Sequence, residues 1–254
     1  MSIKIILRSI AFSQAMVLIY STILLFFPQY YGYVILLIIA TFFAYSILTS
    51  IKRARAGSAE DLEYVSSGRI IVKAQQNKVI ELMNRDDKLI NDMRPQMSFM
   101  SISLINLPVT FGIYYGYLWY IMPYFSHSGD LLLRFLGYII MFELLFVTPW
   151  IINRLILKGR EIRMIQIPRD YVVTSRGIRA MGLLIKFPLE NPTYNFKCSR
   201  KRRFIDIESQ PQVQAITGAK IITVYRLYMP DQDLLKALEA LNKYGNLSLS
   251  CDRD

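Results

Sequence analysis

Arg200-Lys201-Arg202-Arg203 is the densest run of charge in the chain. Four adjacent bases do one kind of chemistry well: they attract phosphate and carboxylate groups, at about 1 kcal/mol per base beside an anionic membrane. The run lies between two strand-like stretches and should form an exposed turn, either simply solvated or in contact with anionic headgroups. Glu143 is the second candidate, because it interrupts a long apolar stretch. A carboxyl group in such a place is costly and faces a protein interior or a water-filled cavity. Asn106, Thr110 and Tyr114, on the preceding apolar stretch, lie at a suitable depth to bond to it. Two roles stay open for Glu143: structural glue between helices, or a proton or substrate site. Arg134 is nine residues earlier, about 180° around a helix that turns about 100° per residue. It therefore makes no intrahelical pair with Glu143 and can reach the membrane interface instead.

The sequence carries no P-loop, dinucleotide-binding glycine turn, nucleophile elbow or HExxH. Its single histidine, His127, has no ligand set near it. Cys198 and Cys251 do not have metal-site spacing. The expectation is a non-enzymatic protein with no metal and no cofactor.

The elements that must position these residues are mostly apolar. Of 254 residues 53% are hydrophobic, and they concentrate in four stretches, about 10–27, 31–51, 97–122 and 131–157. About 18 residues at roughly 1.5 Å each cover the hydrocarbon thickness of a bilayer. Lipid offers no partner for backbone N–H and C=O groups, so each stretch should be a transmembrane helix. Bases flank the four on one side: Lys4 and Arg8, Lys52, Arg53 and Arg55, Arg85, Lys88 and Arg94, and Lys158, Arg160 and Arg163. The opposite loops hold only Asp130 and His127. The positive-inside rule then puts both termini and residues 52–96 in the cytoplasm of a multi-pass plasma-membrane protein. The first stretch lacks a cleavage site and reads as a retained helix. Tyr30, Tyr31 and Tyr33, with Tyr117, Trp119, Tyr120 and Tyr124, form interfacial aromatic belts. Pro108 and Pro149 should kink the third and fourth helices.

Four regions follow: a transmembrane hairpin at 1–51, a cytoplasmic helical segment at 52–96, a second hairpin at 97–157 and a cytoplasmic basic β-rich domain at 158–254. In the second region Ser58 and Asp61 resemble a capping box. Apolar residues at helical spacing predict two helices, the longer over 73–93 and ended by Pro95. This segment either packs on its neighbours or projects towards a protein partner. In the last region, short β-rich runs at 161–167, 171–174, 178–181, 184–187, 193–197, 204–208 and 220–228 are separated by turn residues. A helix over 231–244 follows, with Asp231 as N-cap and Gly245 as stop. Lone cysteines on the cytoplasmic side should stay reduced.

Tyr171-Val172-Val173-Thr174-Ser175-Arg176-Gly177-Ile178, then Ile185-Lys186-Phe187-Pro188-Leu189 and the helix from Asp231, resemble membrane-tethered pleckstrin-homology-like domains. The resemblance covers 161–244 and implies a small barrel closed by a C-terminal helix. Residues 31–157, with Met93-Arg94-Pro95-Gln96-Met97 entering a span, are more weakly similar to archaeal YidC-type insertases. That likeness implies an adaptable entrance of Met93, Met97 and Met100, but the family's groove charge is missing from 31–51. The overall plan resembles uncharacterised four-span archaeal membrane proteins. The first function expected is a scaffold or adaptor that binds anionic headgroups or a protein partner. The alternative is an insertase-like assembly factor, followed by a small-solute or proton carrier using Glu143, which would need homo-oligomers. Nucleic acid is disfavoured, because no stacking aromatics accompany the bases at motif spacing.

Overall fold

The computed structural model describes residues 3–30, 59–189, 194–214 and 217–252, with scattered positions between 32 and 48. Most of the expected second span, 31–51, and Ser58 of the expected capping box lie outside the described residues.

In chain order the elements are α1 (Ile3–Phe26), α2 (Ala59–Ser66), β1 (Ile70–Lys73), α3 (Gln76–Asn84) and α4 (Leu89–Gly116). A π-helical turn (Tyr117–Ile121), α5 (Met122–Ser126) and α6 (Leu131–Leu157) follow. Then come β2 (Glu161–Gln166), β3 (Tyr171–Thr174), β4 (Gly177–Ala180), β5 (Leu183–Lys186), β6 (Tyr194–Ser199), β7 (Phe204–Ser209), β8 (Gln212–Val213) and β9 (Lys220–Tyr228), and finally α7 (Asp231–Gly245) and β10 (Cys251–Asp252). They sort into two compact units. One comprises Met1–Ser46, Ser98–Arg160 and Val213–Lys220, the other Ile47–Met97, Glu161–Gln212 and Ile221–Asp254.

The first unit is helical. Leu89–Ser126 and Leu131–Leu157 are long and apolar enough to cross a membrane, and Ile10–Phe26 is a shorter apolar helix. Their apolar side chains point outwards as much as inwards: Leu104, Trp119 and Leu155 are all more than two-thirds exposed. That distribution suits a hydrocarbon solvent rather than water. Inside the unit, Val17, Tyr20 and Leu24 of α1 pack with Tyr114 of α4, Tyr117, and Met141 and Phe142 of α6. The spacing 17, 20, 24 is one face of a helix. Tyr117 donates a 2.8 Å hydrogen bond to the Gly137 carbonyl.

The second unit is β-rich. One sheet has the order β1-β3-β4-β5 and the other β10-β6-β7-β9-β2, with β8 on β9. Among the described residues the strands form two sheets and not one closed barrel. The core between them holds Tyr171, Ile178 and Ile185 from one sheet, Ile205, Ile207 and Leu227 from the other, and Leu234, Ala237 and Leu241 of α7. Those α7 positions recur at i, i+3, i+7, a helix with one buried face.

The structure corrects several expectations. Residues 70–73 are a strand, antiparallel to β3, because Ile70-Ile71-Val72 is a β-branched run that favours pleated backbone. The longer helix expected over 73–93 is therefore split, and α4 continues through Pro95; one missing donor does not end so long a helix. The segment does not project. Val65, Val72 and Val79 are buried, and Leu82 and Met83 pack on the β-rich core, so its apolar stripe is spent internally. Asp231 is the first helical residue of α7, after Pro230, and the left-handed stop is Asn246, not Gly245. Cys198 and Cys251, which were expected to stay reduced, are joined in a disulfide; the parallel pairing of β10 with β6 sets them side by side.

Candidate functional site

The basic run does not act as one patch. The turn between β6 and β7 is tight, with the Arg203 amide donating to the Arg200 carbonyl and Arg203 in the left-handed region at φ 57°. This geometry leaves Arg200 and Lys201 exposed and turns Arg202 and Arg203 towards the protein. Arg203 pairs with Asp231 at 3.2 Å. Arg202 donates two hydrogen bonds to Asp86, 2.9 and 2.8 Å, and one of 2.6 Å to Asp92.

Arg202 belongs to a buried network that the run alone did not foretell. Register places Asp206 of β7 opposite Arg226 of β9, and two parallel 2.8 Å hydrogen bonds join them. This is the fork-to-fork geometry that arginine and carboxylate favour. Arg226 also donates to Asp92 at 2.7 Å, and its guanidinium carbon stands 4.0 Å from the Phe204 ring centre, a cation–π contact. Tyr228 donates to Asp86. Asp86 lies in the short turn between α3 and α4, and Asp92 lies in the first turn of α4, where a carboxylate also meets the positive end of the helix dipole. The network fastens the start of α4 to β7 and β9. Burial raises the Asp92 carboxyl, but Arg226 and Arg202 outweigh it and hold it below the ordinary carboxylate range. Burial pushes the Asp206 carboxyl up, against the pull of Arg226. Burial opposes the charge on Arg226, yet Asp206 and Asp92 hold it firmly protonated. These charges are engaged with one another, so the network suits fastening better than capture of a ligand.

A second lock sits under the Tyr-Val-Val-Thr-Ser-Arg-Gly-Ile stretch. The Thr174 hydroxyl lies 3.0 Å from the Val65 carbonyl and 3.1 Å from that of Gly177, and accepts from the Arg176 amide. Tyr171 donates to the Tyr228 carbonyl at 2.6 Å. The motif thus ties α2 and the two sheets together.

In the helical unit, Asn106 bonds to Asn153 of α6 at 2.7 Å, and not to Glu143. Among the described residues Glu143 is half-buried and makes no hydrogen bond or ion pair. Ser21 Oγ, Asn106 Oδ1 and Thr110 Oγ1 are buried without a hydrogen-bond partner there. Arg134 is exposed. No group of three or more His, Cys, Asp or Glu suited to a metal occurs among the described residues.

Residues 8–244 match the family described as "Predicted membrane protein (DUF2208)". The chain belongs to that family. The match covers nearly the whole chain and spans both units, so the helices and the β-rich region are parts of one DUF2208 protein. The outward-facing apolar helices agree with the membrane location that the description states. No curated protein and no solved structure matches the chain.

Proposed function

We propose that this DUF2208 protein is a non-enzymatic membrane adaptor. It crosses the bilayer four times with both termini in the cytoplasm, and its β-rich unit, of pleckstrin-homology-like type, meets anionic headgroups or an acidic protein partner. The observation that carries this reading is the distribution of charge. Net charge is +11, and while Arg202 and Arg203 are neutralised internally, Arg200 and Lys201 stay exposed at a turn. Exposed bases on a unit anchored in a membrane protein are held at high local concentration near headgroups, where each gains about 1 kcal/mol.

The test uses the full chain in nanodiscs of neutral lipid and of neutral lipid mixed with anionic phospholipid. Backbone hydrogen exchange around 199–203 should slow in the anionic discs and recover with added salt, since exposed attraction is screened over about 10 Å at 0.1 M. Equal exchange in both discs would contradict the lipid reading, and pull-down of a fixed acidic partner would then decide for the protein.

The insertase-like reading is second. Met97 and Met100 are both more than half exposed on α4, as an adaptable apolar entrance requires. Met93 does not join them, because it packs with Ile165, Ile222 and Val224.

A further inference from the structure

We infer that the β-rich unit carries a phosphate-binding site away from the Arg200–Arg203 turn, built from Arg69, Arg176 and Arg179 with the hydroxyls of Ser66, Ser67 and Ser175. The inference rests on the adaptor reading and locates where the anionic group is held.

Contacts in the structure bring the six residues together. The Arg69 amide donates to Ser175 Oγ at 3.1 Å, and the Ser175 amide donates back to the Arg69 carbonyl at 2.9 Å. Arg176, the next residue, donates to Ser67 Oγ at 2.7 Å and lies 5.2 Å from the Tyr64 ring centre. Arg179 donates to Ser66 Oγ at 3.3 Å. Two serines at the C-terminal end of α2 therefore receive arginines from the β3–β4 turn and from β4, and the third arginine follows directly across from Ser175.

Some bases of the unit meet carboxylates: Lys186 with Asp61, Lys197 and Arg163 with Glu208, Arg203 with Asp231. Among the described residues Arg69, Arg176 and Arg179 have no carboxylate partner, and all three are exposed. Hydrogen bonds to Ser67 and Ser66 orient the Arg176 and Arg179 guanidinium groups side by side without neutralising them, and the backbone of Arg69 is fixed beside them through Ser175. A phosphate group supplies both the charge and the several acceptor oxygens that planar guanidinium forks fit. The exposed Ile70, on the strand that starts beside Arg69, gives the corner an apolar edge. We therefore assign the phosphate to a lipid headgroup.

The experiment uses the full chain in a neutral detergent. The probes are a short-chain phosphatidylglycerol that is soluble as a monomer, its phosphatidylcholine counterpart and inorganic phosphate. The phosphatidylglycerol should bind in preference to the phosphatidylcholine. The triple change Arg69→Gln, Arg176→Gln and Arg179→Gln should weaken it at least about tenfold, and Arg200→Gln with Lys201→Gln should leave it within about twofold. Arg69→Gln alone, which disturbs no side-chain bond among the described residues, should also weaken binding and guards against misfolding of the triple variant. If the triple variant keeps its affinity while the Arg200/Lys201 variant loses it, this site is wrong and the adaptor reading stands. If the wild type does not distinguish the two lipids, this site falls together with the lipid form of the adaptor reading. Displacement by inorganic phosphate at concentrations similar to the lipid would overturn the assignment to a headgroup.

Discussion

The Asp92 carboxylate accepts a 2.7 Å hydrogen bond from Arg226, and through that pair the first turn of α4 is held to strand β9. Arg226 is buried, with its side chain 5% exposed, while Asp92 is about one-third exposed. Loss of the two partners should therefore have unequal effects. Arg226→Met removes the charge that two carboxylates share and strands Asp206, at a cost of about 3–5 kcal/mol. Asp92→Asn leaves Arg226 its fork on Asp206 and should cost about 1–2 kcal/mol after screening by solvent. Chemical denaturation of the purified full chain, followed by tryptophan-independent circular dichroism of the β-rich unit, ranks the two.

The Asp92→Asn comparison also has a pH signature. The folded carboxyl is held below its ordinary value, so its contribution is fully present above the unfolded pKa of about 3.9 and is lost as pH falls through the lower folded value. The stability gap between wild type and Asp92→Asn should be flat from pH 7 to about 5 and close below about pH 4. A gap that closes between pH 7 and 5 would place the effect on another group.

Gly177 has φ 154°, and a Cβ there would lie 2.0 Å from the Ile185 carbonyl oxygen. Gly177→Ala should therefore cost about 3 kcal/mol or more, through backbone strain and a clash with backbone that cannot move aside. Thr174→Val, which keeps the shape and deletes the hydroxyl, should cost about 1–3 kcal/mol. Melting temperatures of the two variants check the order.

The strands β2 to β7 and β9 were legible because each is a short β-rich run between turn residues, and α7 because Leu234, Leu238 and Leu241 mark a face; β8 and β10, two residues each, carry no such run. The long apolar helices were legible from composition alone. β1 was missed because the apolar residues of this segment recur at helical spacing, although Ile70-Ile71-Val72 carried the strand signal. The partners of Arg202 and Arg226 could not be read, since Asp86 and Asp92 lie more than a hundred positions away and nothing local in the sequence links them. For Glu143, counting from the helix ends suggested Asn106, but Asn106 pairs with Asn153, ten residues and about 15 Å further along α6.

That Asn106–Asn153 bond predicts a modest helical-unit effect. Asn106→Leu should cost about 1 kcal/mol or less, the measured scale for interhelical bonds in membranes. Asn106→Leu with Asn153→Leu should cost less than the sum of the single changes, because no amide is then left unpaired. Unfolding in mixed micelles gives the cycle.

The Cys198–Cys251 disulfide closes a loop across a sequence separation of 53. Its removal by Cys198→Ser and Cys251→Ser should cost about 4 kcal/mol on the chain-entropy scale. In freshly opened membranes neither thiol should react with a maleimide before reduction. Disulfides belong to oxidising compartments, or to the cytosol of hyperthermophiles, whereas the proposed topology has the β-rich unit in the cytoplasm. Labelling of both thiols before reduction would show that the bridge does not persist in the cell.

The side of the membrane on which the β-rich unit lies tests the central claim most directly. In a chain with Cys198→Ser and Cys251→Ser, single cysteines replace Gln29, Ser126, Asn84 or Lys201, and intact cells are treated with an impermeant thiol reagent. Positions 29 and 126 should label from outside, and positions 84 and 201 only after the membrane is opened. Labelling of 84 and 201 in intact cells would put the basic unit outside, away from the cytoplasmic anionic leaflet, and contradict the adaptor account.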